Sequence, residues 1–195
     1  YSTVPEEYEA ATGATALLDH SYIGRLKVKG ADGIDLLNRL TTNKLDDLVV
    51  TGQGMPTVLT SNKGRILDFF YVLKRDDHLL VLCGPESRQK AVDWIDFYTF
   101  AEDVSIQDVT EDTVMLAVMG PQARDLVGAI AGREAAALTP YASTHTTIDG
   151  IDALVIRTDF TGLPCYEVVA DVSHAEQLWR RLMKAGEDFG ARPMG

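Results

Sequence analysis

Asp68 is the leading candidate in this sequence for a residue that binds a ligand or transfers a proton. It lies between Leu67 and Phe69, in the middle of three apolar segments. A carboxylate buried without hydrogen-bond partners is costly and tends to become neutral. Asp68 therefore either anchors a polar ligand or handles its protons, or else it faces water or caps a backbone group. The residue pattern leaves both interpretations open.

Glu167 is the second candidate. It alternates with Tyr166 and Val168, so in an extended strand its side chain points away from theirs. Glu167 is then either a surface acid or the second acid of a polar pocket. Phe160 and Tyr166 could stack on a planar ring, although isolated aromatic residues more often belong to a core.

Two cations and four histidines complete the polar candidates. Lys63 and Arg65 flank Gly64 at a predicted turn and could hold the anionic tail of a ligand, with a solvated turn as the alternative. A metal site needs clustered ligands, and the histidines are scattered, so we expect no metal site and histidines that are exposed or satisfied in a core. They are His20, His78, His145 and His174.

Several familiar catalytic motifs are absent. The sequence contains no Walker loop, no G-x-G-x-x-G, no H-E-x-x-H and no G-x-S-x-G. These absences leave the two acids as the main basis for a functional hypothesis.

Length and charge limit the class of protein. The sequence has 195 residues, of which 46% are hydrophobic, enough for one large domain or two small ones with a real core. Its 18 Lys and Arg against 29 Asp and Glu give a net charge of −11, a poor match to nucleic-acid phosphates. No apolar segment approaches the roughly 20 residues of a membrane helix. We therefore expect neither nucleic acid nor membrane as a partner.

The cysteines and the chain ends give weaker indications. Cys83 and Cys165 lie far apart in apolar segments and form no C-x-x-C pair. We expect buried free thiols, which fit a reducing compartment and a soluble, cytoplasmic protein. No secretory leader is visible. The start at Tyr1 rather than Met, and an end at Gly195 that resembles neither a helix nor a strand terminus, predict truncation at both ends.

The segment at residues 57–83 must position Asp68. Turn signals at 61–64 and 75–78 separate its three apolar runs, which predicts an antiparallel meander.

A half-solvated strand is predicted at 24–29, with Leu26 and Val28 on one side and Arg25, Lys27 and Lys29 on the other. Further strands are predicted at 104–106, 114–119, 151–157 and 165–170. Helices are predicted at 6–18 with a break at Gly13, after Asp32, after Pro85, from Pro121 to Gly132, and from a capping box at Ser173 and Glu176 to Gly186. The apolar residues of the last two helices that should point inward are Ala123, Leu126, Val127 and Ile130, and Leu178, Trp179, Leu182 and Met183.

Two hairpin-plus-helix units repeat in this pattern, which predicts an α+β fold with antiparallel or mixed sheets and ferredoxin-like halves. We expect a first, incomplete lobe from residues 1–45 and 108–122. The second, ferredoxin-like lobe is expected from residues 46–107 and 123–190.

The ordered motifs resemble the folate-dependent aminomethyltransferases, the T-protein of the glycine cleavage system. The resemblance rests on residues 18–30, 37–43, 61–68 and 117–123, and on Thr161-Gly162 followed by Tyr166-Glu167. Residues 63–65 and 98–104 are more similar to the YgfZ-type folate-binding proteins, which serve iron–sulfur cluster assembly or repair.

The resemblance implies a site for tetrahydrofolate between two lobes, followed in the family by a C-terminal barrel. It places Asp68 at the pterin and in one-carbon transfer, and Glu167 in a hydrogen bond to the pterin ring. The remaining assigned contacts to folate are Lys63, Arg65, Met55 and Tyr166. The implied partners are folate and either a carrier protein or an iron–sulfur client.

Several positions depart from the T-protein pattern. Leu67 replaces the first of two paired acids, Met55 replaces a tyrosine, Ile23 replaces a methionine, Thr60 an asparagine and Cys165 a glycine. The leading hypothesis is a tetrahydrofolate-binding protein of the YgfZ-like branch. The alternatives are a folate-dependent aminomethyl or methyl transferase, with Asp68 as the catalytic residue, and a non-catalytic interaction module.

Overall fold

The computed structural model describes residues 3–159 and 161–195, so Phe160 lies outside the described residues. Five α-helices are described: α1 Val4–Gly13, α2 Gly33–Leu40, α3 Arg88–Phe97, α4 Ala123–Ala136 and α5 Ala175–Gly186. The described strands are β1 Thr15–Asp19, β2 Gly24–Lys29, β3 Gly54–Thr60, β4 Ile66–Lys74, β5 Leu79–Cys83, β6 Ser105–Asp108, β7 Thr113–Met119, β8 Ser143–Ile148, β9 Ile151–Arg157, β10 Cys165–Asp171 and β11 Ala191–Pro193. Among these described helices, none is both long and apolar enough to cross a membrane.

The chain divides into two compact units. The first unit comprises Tyr1–Ser21 and Glu111–Gly195, and the second comprises Tyr22–Thr110. This division differs from the predicted lobes, which joined residues 46–107 to residues 123–190. The reason is that β2 hydrogen-bonds to both β5 and β6, so β2 belongs to the same sheet as β3, β4, β5 and β6.

The first unit is built on a six-stranded sheet in the order β11-β1-β7-β10-β9-β8. Its pairs are antiparallel except β1 with β11, which is parallel. Helices α4 and α5 pack on one face through apolar residues that the sequence predicted to point inward: Ala123, Leu126, Val127, Ile130, Leu178 and Leu182. Gly132, predicted to end α4, has φ 90° and interrupts it before the helix resumes to Ala136.

The second unit is built on a five-stranded sheet in the order β3-β4-β5-β2-β6. Its first three strands form the predicted antiparallel meander. Residues of α2 and α3 complete the core of this unit, with Leu36, Leu37, Ala91 and Ile95 all buried. This mixed arrangement of two sheets and helices confirms the predicted α+β class.

Arg25 departs from the expected half-solvated strand. The alternation of β2 predicted that its side chain faces water, but Arg25 is 0% exposed. Its guanidinium donates to the carbonyl oxygens of Ile23 and Thr110. The chain that follows β6 returns past β2 and covers this side chain, which no local alternation could indicate.

Two predicted helix features are wrong. Residues 15–18, predicted as helix, form part of β1, because β1 finds hydrogen-bond partners in both β7 and β11. The predicted capping box is replaced by the Asp171 carboxylate, which accepts from the Ser173 backbone N–H and begins a 3₁₀ turn at Val172–His174. Glu176 instead pairs with Arg180 one helical turn later.

Candidate functional site

Glu167 lies in β10 of the first unit, between β7 and β9. Its neighbours Tyr166 and Val168 point into the core beneath the helices, so the predicted alternation is confirmed. Glu167 shares the opposite face of the sheet with Ala117, its direct partner on β7. The residue is only 3% exposed, so it is a buried acid rather than a surface one.

Three side chains surround the Glu167 carboxylate, and with it they form what we call the Glu167 cluster. Nδ1 of His20 lies 3.1 Å from Oε1 and 3.2 Å from Oε2. The Thr158 hydroxyl is 3.5 Å from Oε1, and the Cys165 Sγ is 3.7 Å from the same oxygen. The backbone N–H of His20 donates to the Met115 carbonyl at 2.9 Å, which fixes His20 at the end of β1.

The electrostatics of the Glu167 cluster favour a charged imidazole. Burial lowers the pKa of His20, but the hydrogen bond to Glu167 and the charges of Glu167 and Asp19 outweigh it and raise the pKa above its ordinary value of 6.5. Burial and the Glu167 charge raise the pKa of the Cys165 thiol well above its ordinary range. The cluster therefore offers a carboxylate and an exchangeable imidazole proton, while Cys165 stays a neutral thiol rather than a nucleophile.

An ion pair organises the chain next to the Glu167 cluster. Asp159, which has a left-handed φ of 45°, pairs with Arg157 at 2.8 Å. One of its oxygens also accepts from the Cys165 backbone N–H at 3.0 Å. Asp159 thus ties the end of β9 to Cys165, the first residue of β10, two residues before Glu167. This pair was not among the predicted site residues.

Tyr166, an expected folate contact, lies in the core of the first unit. It is 0% exposed, its hydroxyl donates to the Ala136 carbonyl at 3.2 Å, and the Arg157 guanidinium lies 5.8 Å from its ring centroid. The alternation that turns Glu167 to one face turns Tyr166 to the other. In this structure the Tyr166 ring therefore presents no surface to a ligand, and it is not part of the site proposed below.

Asp68 lies half-buried in β4 of the second unit. Its Oδ2 accepts from the Gly84 backbone N–H at 2.9 Å, and Oδ1 accepts from the N–H of Phe69 at 2.7 Å. Asp68 therefore caps the backbone at the end of β5, the alternative that the sequence left open. An ionised carboxylate has about four acceptor positions, so this capping leaves room for a further donor.

The other expected contacts lie elsewhere in the second unit. Lys63 and Arg65 are both exposed at a turn in which the Ser61 N–H donates to the Arg65 carbonyl at 2.8 Å. Met55, opposite Val72 on β4, is half-buried and packs against the core of this unit. The two cations thus lie at a solvated turn, and Met55 has a packing role.

The predicted site residues are divided between the units. Glu167 and Tyr166 belong to the first, and Asp68, Lys63, Arg65 and Met55 belong to the second. The predicted convergence of Asp68 and Glu167 on one ligand stays a prediction. Within the part of the chain that the structure describes, no group of three or more His, Cys, Asp or Glu side chains is arranged to hold a metal ion.

His20 is the functional candidate that sequence reasoning missed. It was counted among four scattered histidines, and it lies 147 residues from Glu167 in the chain. Its position directly after an apolar segment carried no recognisable signal, because the pairing depends on β1 and β10 flanking the same strand, β7.

The chain matches known sequences over its full length. The family model described as the GCVT N-terminal domain matches residues 1–195. An aminomethyltransferase of Bacillus pumilus (strain SAFR-032) is 30% identical over 198 residues, covering 100% of this chain and 54% of that protein. An aminomethyltransferase of Bacillus cereus (strain AH187) is 27% identical over 196 residues, covering 100% of this chain and 53% of that protein. The chain therefore spans about half the length of these relatives.

Two solved structures share the fold. The glycine cleavage system aminomethyltransferase T from Bartonella henselae superposes with a TM-score of 0.81 at 18% identity, covering 97% of this chain and 50% of that chain. A chain of the heterotetrameric sarcosine oxidase from Corynebacterium sp. U-96 gives a TM-score of 0.66 at 16% identity, covering 98% of this chain and 94% of that chain. At these identities the similarity establishes the fold.

Proposed function

We propose that this chain, which belongs to the GCVT N-terminal domain family, binds tetrahydrofolate. The observation that carries the proposal is the placement of Glu167, the acid that the family resemblance assigns to the pterin ring. Glu167 is 3% exposed, yet it lies on the sheet face away from α4 and α5, next to His20, Thr158 and Cys165. Burying a carboxylate is costly unless its partners compensate, and packing alone gives no reason to place one there.

The chemistry of a pterin fits this acid. The 2-amino-4-oxo edge of the ring presents neighbouring N–H donors in one plane, and a carboxylate accepts two parallel N–H bonds. Oε1 and Oε2 of Glu167 supply such a pair of acceptors. Bonds of this kind to a charged acceptor are roughly twice as strong as neutral ones, so one carboxylate can orient a flat heterocycle.

Asp68 is the proposed second contact to the folate, with one-carbon transfer as its assigned chemistry. Its two bonds from backbone N–H groups hold the carboxylate in a single orientation, which suits a residue that must handle a proton at a defined atom. Lys63 and Arg65 are proposed to meet the carboxylates of the folate tail. Exposed ion pairs contribute only about 0–1 kcal/mol, so the tail contributes little to affinity.

Two activities are candidates for the folate-bound protein. The relatives described above are named aminomethyltransferases, which favours transfer of a one-carbon group from an aminomethylated carrier protein. Leu67, where T-proteins usually carry an acid, and the similarity of residues 63–65 to YgfZ-type proteins favour a role in iron–sulfur cluster assembly or repair. An assay for methylene-tetrahydrofolate formation from an aminomethylated carrier protein separates the two.

Calorimetric titration of the full-length protein with tetrahydrofolate tests the binding proposal. We expect saturable binding to the wild-type protein and weaker binding to the Asp68→Asn variant. Asp96→Asn, which changes an exposed acid on α3, is the matched control and should bind as the wild type does. Absence of binding by the wild-type protein would refute the proposal.

A further inference from the structure

The Glu167 carboxylate has hydrogen-bond partners within the protein itself. A single nitrogen, Nδ1 of His20, lies within 3.2 Å of both carboxylate oxygens. Among the described residues, His20 is the hydrogen-bond partner of Oε2, whereas the Thr158 hydroxyl and the Cys165 thiol both approach Oε1. Because Nδ1 is nearly equidistant from the two oxygens, it occupies the position that two parallel donors would need, so such a ligand must displace His20.

We infer that His20 is a specificity-determining residue of the folate site, which occupies the Glu167 carboxylate until a ligand with two neighbouring N–H donors displaces it. This inference rests on the proposed function. The near-equal distances place Nδ1 between the two oxygens, where one donor serves both. A ligand with a single donor offers no more than His20 already provides. The edge of a reduced pterin offers two donors in one plane and can replace the imidazole at both oxygens.

The exposure of the two side chains is consistent with such an exchange. The His20 side chain is 18% exposed and the Glu167 side chain 4% exposed, so the imidazole is the member of the pair that reaches solvent. It can move away and exchange its proton with water, while the carboxylate stays in place on β10.

The charges around His20 determine whether the imidazole keeps its proton when a ligand displaces it from Glu167. Glu167 on β10 and Asp19 on β1 are the acids that act on the imidazole. Beyond Glu167, Cys165 stays a neutral thiol, and Asp159 is paired with Arg157. Once a ligand donates to both oxygens of Glu167, the imidazolium loses its hydrogen bond to the carboxylate, which is the largest effect that raises the pKa of His20.

The exchange is therefore linked to proton release. One ring N–H bond of the imidazolium breaks, its proton passes to the buffer, and a neutral imidazole remains. The ligand gains hydrogen bonds to Glu167 and keeps all its covalent bonds. Folate binding should accordingly strengthen as the pH rises through the raised pKa of His20, because the competing imidazolium is then already lost.

Calorimetry in buffers of different ionisation enthalpy measures this linkage. At a pH between the ordinary histidine value of about 6.5 and the raised pKa of His20, which an NMR titration would determine, wild-type protein should release up to about one proton per tetrahydrofolate bound. The His20→Gln variant should release none, and its affinity should vary less with pH. His78→Gln removes a histidine from the second unit, where it pairs with Asp77, and should keep the wild-type proton release.

An NMR titration without ligand gives an independent measurement. The pKa of the His20 ring should fall in the Glu167→Gln variant, and this readout remains available if His20→Gln folds poorly. If wild-type protein binds no tetrahydrofolate, the proposed function fails and this inference with it. If it binds with equal proton release in wild type and His20→Gln, or if the pKa of His20 is unchanged in Glu167→Gln, the inference alone is overturned.

Discussion

His20 and Glu167 lie 147 residues apart in the chain, yet Nδ1 of His20 is 3.1 Å from Oε1 of Glu167. The pair joins the end of β1 to the middle of β10 across one sheet. It combines a buried acid with a histidine whose pKa is raised, a combination that occurs in functional sites and also in structural ion pairs. Stability and binding measurements on the same variants distinguish these roles.

The contribution of this pair to stability should decrease as the pH rises. Because the folded state raises the pKa of His20, the folded protein binds the proton more tightly than the unfolded chain. The stabilisation is fully present below the ordinary histidine value of about 6.5 and is lost as the pH passes the raised value. Urea unfolding of wild type and His20→Gln at several pH values should show their difference in unfolding free energy shrinking with pH.

His78 provides a control, because its contribution to stability should change with pH in the opposite direction to that of His20. Burial lowers the pKa of His78 despite its contact with Asp77, so stability linked to this residue is lost as the pH falls. The difference between wild type and His78→Gln should therefore change with pH in the reverse direction. The same pH trend in both variants would contradict the assignment for His20.

Replacing Glu167 with Gln should weaken tetrahydrofolate binding about 10- to 100-fold. Hydrogen bonds to a charged group contribute roughly 1.5–3 kcal/mol, and every 1.4 kcal/mol is about tenfold in affinity. Isothermal titration calorimetry measures the change. Glu187→Gln, at an exposed acid of the first unit, is the matched control, and equal losses in both variants would rule out a specific role for Glu167.

A methyl group at Gly84 should disturb the position of Asp68. A Cβ there would lie 3.0 Å from Oδ1 of Asp68 and 2.8 Å from the Ser87 hydroxyl. Overpacking of this kind typically costs about 1–3 kcal/mol, which urea unfolding of Gly84→Ala measures. Gly13→Ala is the control, because a Cβ at Gly13 meets nothing within 4 Å. An unfolding free energy of Gly84→Ala equal to that of wild type would show that this region accommodates the methyl group.

Both cysteines should react slowly in the folded protein. Burial, followed by the charges of Asp68 and Asp108, raises the pKa of Cys83 to about 12, and the pKa of Cys165 is also raised. The thiolate is the reactive form, and both residues are buried free cysteines. Labelling with a chromogenic disulfide reagent at neutral pH should be slow for native protein and fast in urea. Rapid labelling of native protein would place a thiol at the surface.

Local patterns in the sequence were sufficient for much of the fold. Turn residues between three apolar runs predicted the meander that carries Asp68, and two-residue alternation predicted that Glu167 and Tyr166 point to opposite faces. These features depend on neighbours within a few residues, so the sequence alone contains their cause. The inward stripes of α4 and α5 were predicted for the same reason.

The division into units, the burial of Arg25, the strand character of residues 15–18 and the pairing of His20 with Glu167 depended on the tertiary structure. Each is decided by chain segments that are distant in sequence and meet through strand pairing. A strand is completed by hydrogen bonds from other strands, and its own residues do not specify which strands those are. The sequence by itself therefore supplied the two acids and the faces of their strands, and the assembled sheets decided what each acid contacts.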